Sequence, residues 1–419
     1  MNICLVLVLV FLLLAWGLEV VSSLLTIRRL DSDEAALPAE FRDVADEASY
    51  ARSQAYTRAN VRFDMVTETL GTVLLVIAIF IGAFNWLDVA AMKVTEHPIL
   101  QGLVFFGLLA LVNSAVSMPA AVYRTFVLEE RFGFNRTTPA LFIRDRIKGA
   151  FLAVCIGGPL LAGVLWFFAV LGDWAWLTAW LFTVAVMLLV QYVAPVLILP
   201  MFNKFTPLPE GSLRSAIEAY VRSAGFALSG LFVMDGSKRS GKGNAFFTGF
   251  GRKKRIALFD TLIDSMTEEE VVGVVAHEVG HCKLRHVHRM MFSGIIQTGV
   301  TFLLLSFVLG YGPMFDAFGM ERMSTHAGIV FFGFLYAPVS LIMGLWANMR
   351  SRAYEFEADA FAAESTKKAE ALASALKRLS LSNLSNLTPH PFAVFLHYSH
   401  PPVVERIRHL ARMESGRRD

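Results

Sequence analysis

The sequence predicts a mainly α, multi-pass membrane protein of seven transmembrane helices with a smaller α+β soluble part. Three observations carry this. Hydrophobic residues make up 55% of the 419 and charged residues 17%, where a soluble domain runs at about 45–50% and 25%. Seven stretches, about 2–25, 66–86, 99–122, 149–171, 174–199, 291–312 and 327–347, are apolar over the roughly 20 residues that a helix needs to cross about 30 Å of hydrocarbon. Lys and Arg fall almost wholly between alternate stretches. The formal net charge of +3 is too small to argue for nucleic acid, and the scattered Cys4, Cys155 and Cys282 indicate no disulfide framework.

The first stretch has no basic n-region and no A-x-A-like cleavage site, so it reads as a retained helix rather than a signal peptide. Arg28 and Arg29 follow it, which puts the N-terminus outside, because basic residues near span ends stay cytoplasmic. Alternating from there, the cytoplasmic segments are 26–65, 123–148, 200–290 and 348–419, and they hold 36 of the 38 basic residues, all but Lys93 and Arg322. The C-terminus is therefore inside, at the inner membrane of a bacterium or the endoplasmic reticulum of a eukaryote. A transporter or receptor would place ionisable residues within its spans; Glu19, near a span end, is the only clear one.

This divides the chain into 1–199 with five spans, a soluble stretch 200–290, two spans over 291–347, and a soluble tail 348–419. In the first soluble stretch, Leu213–Ala224 reads as an amphipathic helix, Leu231–Met234 as a strand, and Ala245–Phe247 with Arg255–Phe259 as a hairpin around a turn at Gly249–Lys254. Thr267 and Glu270 form a capping box that opens a helix running through His281.

That helix carries His277-Glu-Val-Gly-His281. Two histidines four apart lie on one helical face, so both imidazoles can reach one zinc ion while Glu278 acts on its water. Gly280 in mid-helix is unfavourable and implies that something approaches closely there. A catalytic zinc takes three protein ligands, and the best candidate for the third is Glu355 in Tyr354-Glu-Phe-Glu-Ala-Asp359. Asp359, one turn on, can orient a ligating histidine through its ring N–H, whereas Glu357 points away. By spacing alone this segment reads equally well as an acidic helix with i,i+4 pairs; the histidine motif decides between the two. His286 and His288, continuing the same helix, do not share the ligand face. Gly236-Ser-Lys-Arg-Ser-Gly-Lys-Gly243 nearly spells a phosphate-binding loop, but Gly243 replaces the final Ser or Thr and a strand follows. No nucleotide is expected, and Lys238, Arg239 and Lys242 read as a solvated loop or a weak contact with lipid headgroups.

Six segments act together: Phe202-Asn-Lys-Phe-Thr-Pro-Leu-Pro-Glu-Gly211, Gly236-Ser-Lys-Arg239 with Asn244-Ala-Phe-Phe247, Arg255-Ile-Ala-Leu-Phe-Asp-Thr261, the His277 motif, Ser351 to Phe361, and His397-Tyr-Ser-His-Pro-Pro-Val-Val-Glu-Arg406. Through them, and over most of its length, the sequence resembles the integral-membrane zinc metalloproteases of the type I CAAX prenyl endopeptidase kind. This resemblance implies one zinc per chain on His277, His281 and Glu355, with Glu278 as general base and Asp359 supporting a ligand. It further implies that a strand over Asn244, Ala245, Phe246 and Phe247 pairs with an extended substrate, that His400 lies near the site, and that the seven helices enclose a chamber.

The expected chemistry follows. Zinc lowers the pKa of its water towards about 7, and Glu278 takes the proton and passes it to the departing amine. His400 or Asn244 can donate to the oxyanion, although His400 reads equally well as a cap before Pro401-Pro402. The expected function is zinc-dependent endopeptidase action near the C-terminus of prenylated CAAX-type or other lipidated or hydrophobic substrates, in contact with membrane lipids. General membrane-protein quality control is the alternative. An inactive zinc-binding scaffold is opposed by Glu278, which metal binding alone does not need.

Overall fold

The computed structural model of the protein describes residues 2–32, 35–248 and 255–415. Among these, seven helices are long and apolar enough to cross a membrane: Ile3–Leu30, Glu47–Phe80, Pro98–Glu129, Pro139–Val170, Gly172–Phe202, His286–Val308 and Thr325–Thr366. Several overrun the predicted stretches. The last has 42 residues, about 63 Å of helix, so roughly half of it extends beyond the hydrocarbon. The second ends earlier than predicted, because Gly82 at φ 68° breaks it before a separate helix, Ala83–Val94. Its apolar part also contains Glu68, so Glu19 is not the lone ionisable residue in the spans. Gly172, at φ 50°, makes the tight turn between the fourth and fifth spans.

The spanning helices form a ring. Each packs on its neighbours in the chain, the second reaching the third partly through Ala83–Val94, and the seventh closes on the first. No more than 17% of any span's apolar window is buried. A solid seven-helix bundle would bury far more, so these walls are bare on both faces, one towards lipid and one towards an enclosed chamber.

The soluble stretches build one core around a four-stranded sheet. Its order is β1 (Phe205–Pro207), β2 (Gly230–Met234), β4 (Arg255–Phe259), β3 (Ala245–Thr248). The expected hairpin is present, with Ala245 opposite Leu258 and Phe246 opposite Ala257; its turn, Gly249–Lys254, lies outside the described residues. The sequence does not announce β1 or the parallel pairing of β2 with β4, since a three-residue edge strand ending in proline leaves almost no periodic signal. β4 is central and buries Ile256, Ala257 and Leu258 in succession. These pack with Ile217 of the Ser212–Ser223 helix, Val271, Val275 and Val279 of the Glu268–Lys283 helix, Ala362 of the long last span, Leu372 of Ala369–Ser382 and Leu410 of Val403–Ser415.

The Gly236–Gly243 segment corrects an expectation. Lys238 is exposed, as expected, but Arg239 and Lys242 are neither solvated nor free for lipid. Arg239 grips Asp145 through two bonds of 2.7 and 3.0 Å and donates to Asn203 Oδ1 and the Phe202 carbonyl. Lys242 donates to the Tyr56 hydroxyl at 2.6 Å and pairs with Glu129 at 3.1 Å. The segment clamps the sheet to the membrane helices. Its acidic partners are distant in sequence, so local composition could not reveal them.

Candidate active site

The Glu268–Lys283 helix starts at the predicted capping box: Thr267 Oγ1 accepts from the Glu270 amide, and Glu270 Oε2 accepts from the Thr267 amide at 2.8 Å. The other oxygen of Glu270 accepts from Ser374 and Arg378, which ties the helix start to Ala369–Ser382. Gly280 answers the question its presence raised. A Cβ there would stand 3.2 Å from the backbone of Ala358 and from Phe361, so glycine lets the long last-span helix press against the histidine face.

That contact brings Glu355 to His277 and His281. The Nε2 atoms of the two histidines approach to 3.1 Å. Glu355 Oε2 lies 3.4 Å from His277 Nε2, and Glu355 Oε1 lies 3.3 Å from His281 Nε2. Ligands bound to zinc at about 2.0–2.1 Å in a tetrahedral arrangement sit about 3.3 Å from one another, so the three separations fit that ion. Glu355 Oε2 is moreover buried with no hydrogen bond, although Arg406 Nη1 stands 3.1 Å away. Two imidazoles and a carboxylate bring their ligand atoms together here, a donor set suited to a divalent cation.

The surroundings hold the group in place. Asp359, fully buried, accepts from His277 Nδ1 at 2.9 Å, and Arg406 donates to both Asp359 oxygens at 2.8 and 2.6 Å. Burial works against a charge on His277, but Asp359 and Glu355 outweigh it and raise its pKa to about 9; a metal would displace that proton. Glu278 is half-buried, and no hydrogen bond among the described residues restrains its carboxylate. Burial pushes its pKa up, against the opposing pull of His277 and His281, which moves a proton acceptor towards the pH at which it works best.

Of the remaining predicted residues, His400 comes within 3.3 Å of Glu355 Oε1 on its Nε2 side, with its side chain 64% exposed at the rim. Asn244 is exposed, and its side chain turns back to accept from the Ala245 amide at 2.8 Å. No contact among the described residues joins it to the ligand group. Ala245 and Phe246 lie on β3, an edge strand packed beside the His277 helix, with one side unpaired among the described residues.

Two residues escaped the sequence reading. Arg406 closes the His397–Arg406 segment with no role visible in the sequence, and only the fold reveals that it neutralises Asp359. For His286 the sequence predicts a continuing helix. In fact that helix ends at Lys283, Arg285 takes φ 59°, and a new helix starts at His286. The turn folds His286 Nδ1 back to within 3.0 Å of His281 Nδ1, while His286 Nε2 meets Glu357 at 3.0 Å. Glu357 does point away from the ligand group, as expected, but towards this histidine.

Residues 26–204 match the family described as CAAX prenyl protease N-terminal, five membrane helices, and residues 207–414 match peptidase family M48. The chain is 36% identical to a CAAX prenyl protease 1 homolog of Arabidopsis thaliana, covering 89% of each chain. It is 34% identical to CAAX prenyl protease 1 of Saccharomyces cerevisiae, over 92% of this chain and 91% of that one. The crystal structure of S. mikatae Ste24p superposes with a TM-score of 0.92 at 31% identity, covering 97% of this chain and 99% of the other. With the two families spanning nearly the whole chain and the fold reproduced end to end, the protein belongs to peptidase family M48, as an integral-membrane zinc metalloendopeptidase of the CAAX prenyl protease kind.

Proposed function

We propose that the protein cleaves prenylated CAAX-type substrates near their C-terminus, using one zinc ion held by His277, His281 and Glu355. The observation that carries this reading is the convergence of three ligand atoms, all within 4.8 Å of one another, beside Glu278, whose carboxylate has no hydrogen bond among the described residues. Bound there, zinc would polarise the scissile carbonyl and acidify water. Glu278 takes the proton from the attacking water and delivers it to the departing amine nitrogen. Asp359 holds His277, with its own charge balanced by Arg406, and His400 at the rim donates towards the developing oxyanion. The side of β3 left unpaired among the described residues, at Ala245 and Phe246 with Asn244 just before the strand, adds an extended substrate as a further strand. The one-sided placement of Lys and Arg supports an N-terminus outside and the site on the cytoplasmic side, with 200–290 and 348–419 as the soluble parts. The chamber walls, bare of packing, suit a lipidated segment.

The test is cleavage of a farnesylated CAAX peptide and its unprenylated twin by purified protein, with product termini mapped. Release of the last three residues, faster from the farnesylated peptide, is expected. Equal, scattered cleavage of both would favour general proteolysis of hydrophobic proteins instead.

A further inference from the structure

We propose that His286 is a positioning residue that sets the tautomer and orientation of His281 through a relay anchored on Glu357. This rests on the reading of His281 as a metal ligand. The chemistry of the partners fixes each proton in turn. An ionised carboxylate only accepts, so Glu357 takes the Nε2–H of His286 across 3.0 Å. His286 Nδ1 is then the acceptor in its 3.0 Å contact with His281 Nδ1. His281 therefore carries its proton on Nδ1, which leaves the Nε2 lone pair turned to His277 and Glu355.

The relay is rigidly built. His286 is 1% exposed, and its ring stacks on Tyr354 at 4.4 Å between centroids and 15° between planes. Tyr354, Glu355 and Glu357 all belong to the last-span helix, so the element that presents the third ligand also holds the second one in register. Arg289, 3.6 Å from Glu357, helps hold that carboxylate in place. His277 reaches the same end by another route, donating Nδ1–H directly to buried Asp359. Partners of this kind commonly set metal affinity by 10–100-fold.

The experiment uses the full-length purified protein and reads zinc affinity by chelator competition, with turnover at saturating zinc measured separately. His286→Ala should weaken zinc binding about 10–100-fold. His286→Asn places an amide oxygen where Nδ1 stood, so it should restore most of the affinity. His286→Gln reaches towards Glu357 rather than His281 and should not. Glu357→Gln, at an exposed position, should weaken zinc several-fold without unfolding the protein. If His286→Ala does not fold, the Asn-against-Gln contrast and Glu357→Gln decide the matter. Zinc affinities within twofold of the parent in all folded variants would overturn the proposal. A His281→Ala variant run alongside separates the two readings: unchanged zinc there would overturn the ligand assignment itself, whereas lost zinc there with unaffected His286 variants would overturn only the relay.

Discussion

Two buried clusters, at opposite ends of one helix, are built from the same three residue types. At the site end, Asp359 is gripped by Arg406 and His277. At the other, Asp88 of the Ala83–Val94 helix, 0% exposed, accepts from Arg322 at 2.8 and 2.9 Å and from His326 at 2.6 Å. His326 and Glu355 both belong to Thr325–Thr366, about 44 Å apart along the axis at 1.5 Å per residue. The difference lies in what the histidine does with its remaining nitrogen. His326 spends Nε2 on Asp88 and, among the described residues, faces no second histidine or free carboxylate, so the far cluster is a pin that fastens the short helix to the last span. His277 spends Nδ1 and keeps Nε2 for His281 and Glu355. The far cluster is thus a structural fastener, whereas further ligand atoms converge on the near one, which is why the metal is proposed there.

The sharpest break in that contrast comes from Glu355→Ala. It removes a proposed ligand and should take bound zinc from one per chain to near none, with peptide cleavage lost alongside, as read by metal analysis of the purified protein. The matching change at the far end, Asp88→Asn, should leave zinc content untouched.

Arg406→Leu comes next. It leaves Asp359 buried without its cation, a defect that costs about 3–5 kcal/mol in stability, and it should also weaken zinc by about 10–100-fold through His277. Thermal unfolding together with chelator competition reads both effects. A loss of stability without loss of zinc would mean that Arg406 serves packing alone.

The smallest effect belongs to the pin. Burial of Asp88 disfavours its charge, but His326 and Arg322 overcome that and hold its carboxyl down to about 2, from an ordinary 3.8. A carboxylate whose pKa is depressed on folding contributes stability above its unfolded value and loses it as pH falls through the folded one. The contribution, about 2 kcal/mol for a shift of this size, should therefore be complete above about pH 5 and fade towards pH 2. Asp88→Asn should flatten that part of the stability profile while kcat per bound zinc stays within about twofold.

Much of this was legible in the sequence, because the strongest signals are local. Apolar runs give the seven spans, four-residue spacing gives the His277 and Glu355 faces, and the Thr267 capping box gives the helix start. What escaped depends on residues far apart in the chain. Arg239 and Lys242 look solvated until Asp145 and Glu129 meet them, and Arg406 has no visible purpose until Asp359 is folded beside it. His286 was hidden by a one-residue reversal at Arg285, where a non-glycine residue at positive φ breaks a helical pattern that continues in the sequence. The second span ends earlier than expected for a similar reason, since Gly82 turns the chain inside an unbroken apolar run.

The central claim is that the His277–His281–Glu355 group binds zinc so that Glu278 can move a proton in peptide hydrolysis. Glu278→Gln tests it most directly, by metal content and cleavage of a farnesylated CAAX peptide on the same preparation. One zinc per chain is expected, as in the parent, with cleavage reduced by at least about 10²-fold. A variant that retains its zinc and cleaves as fast as the parent would contradict it.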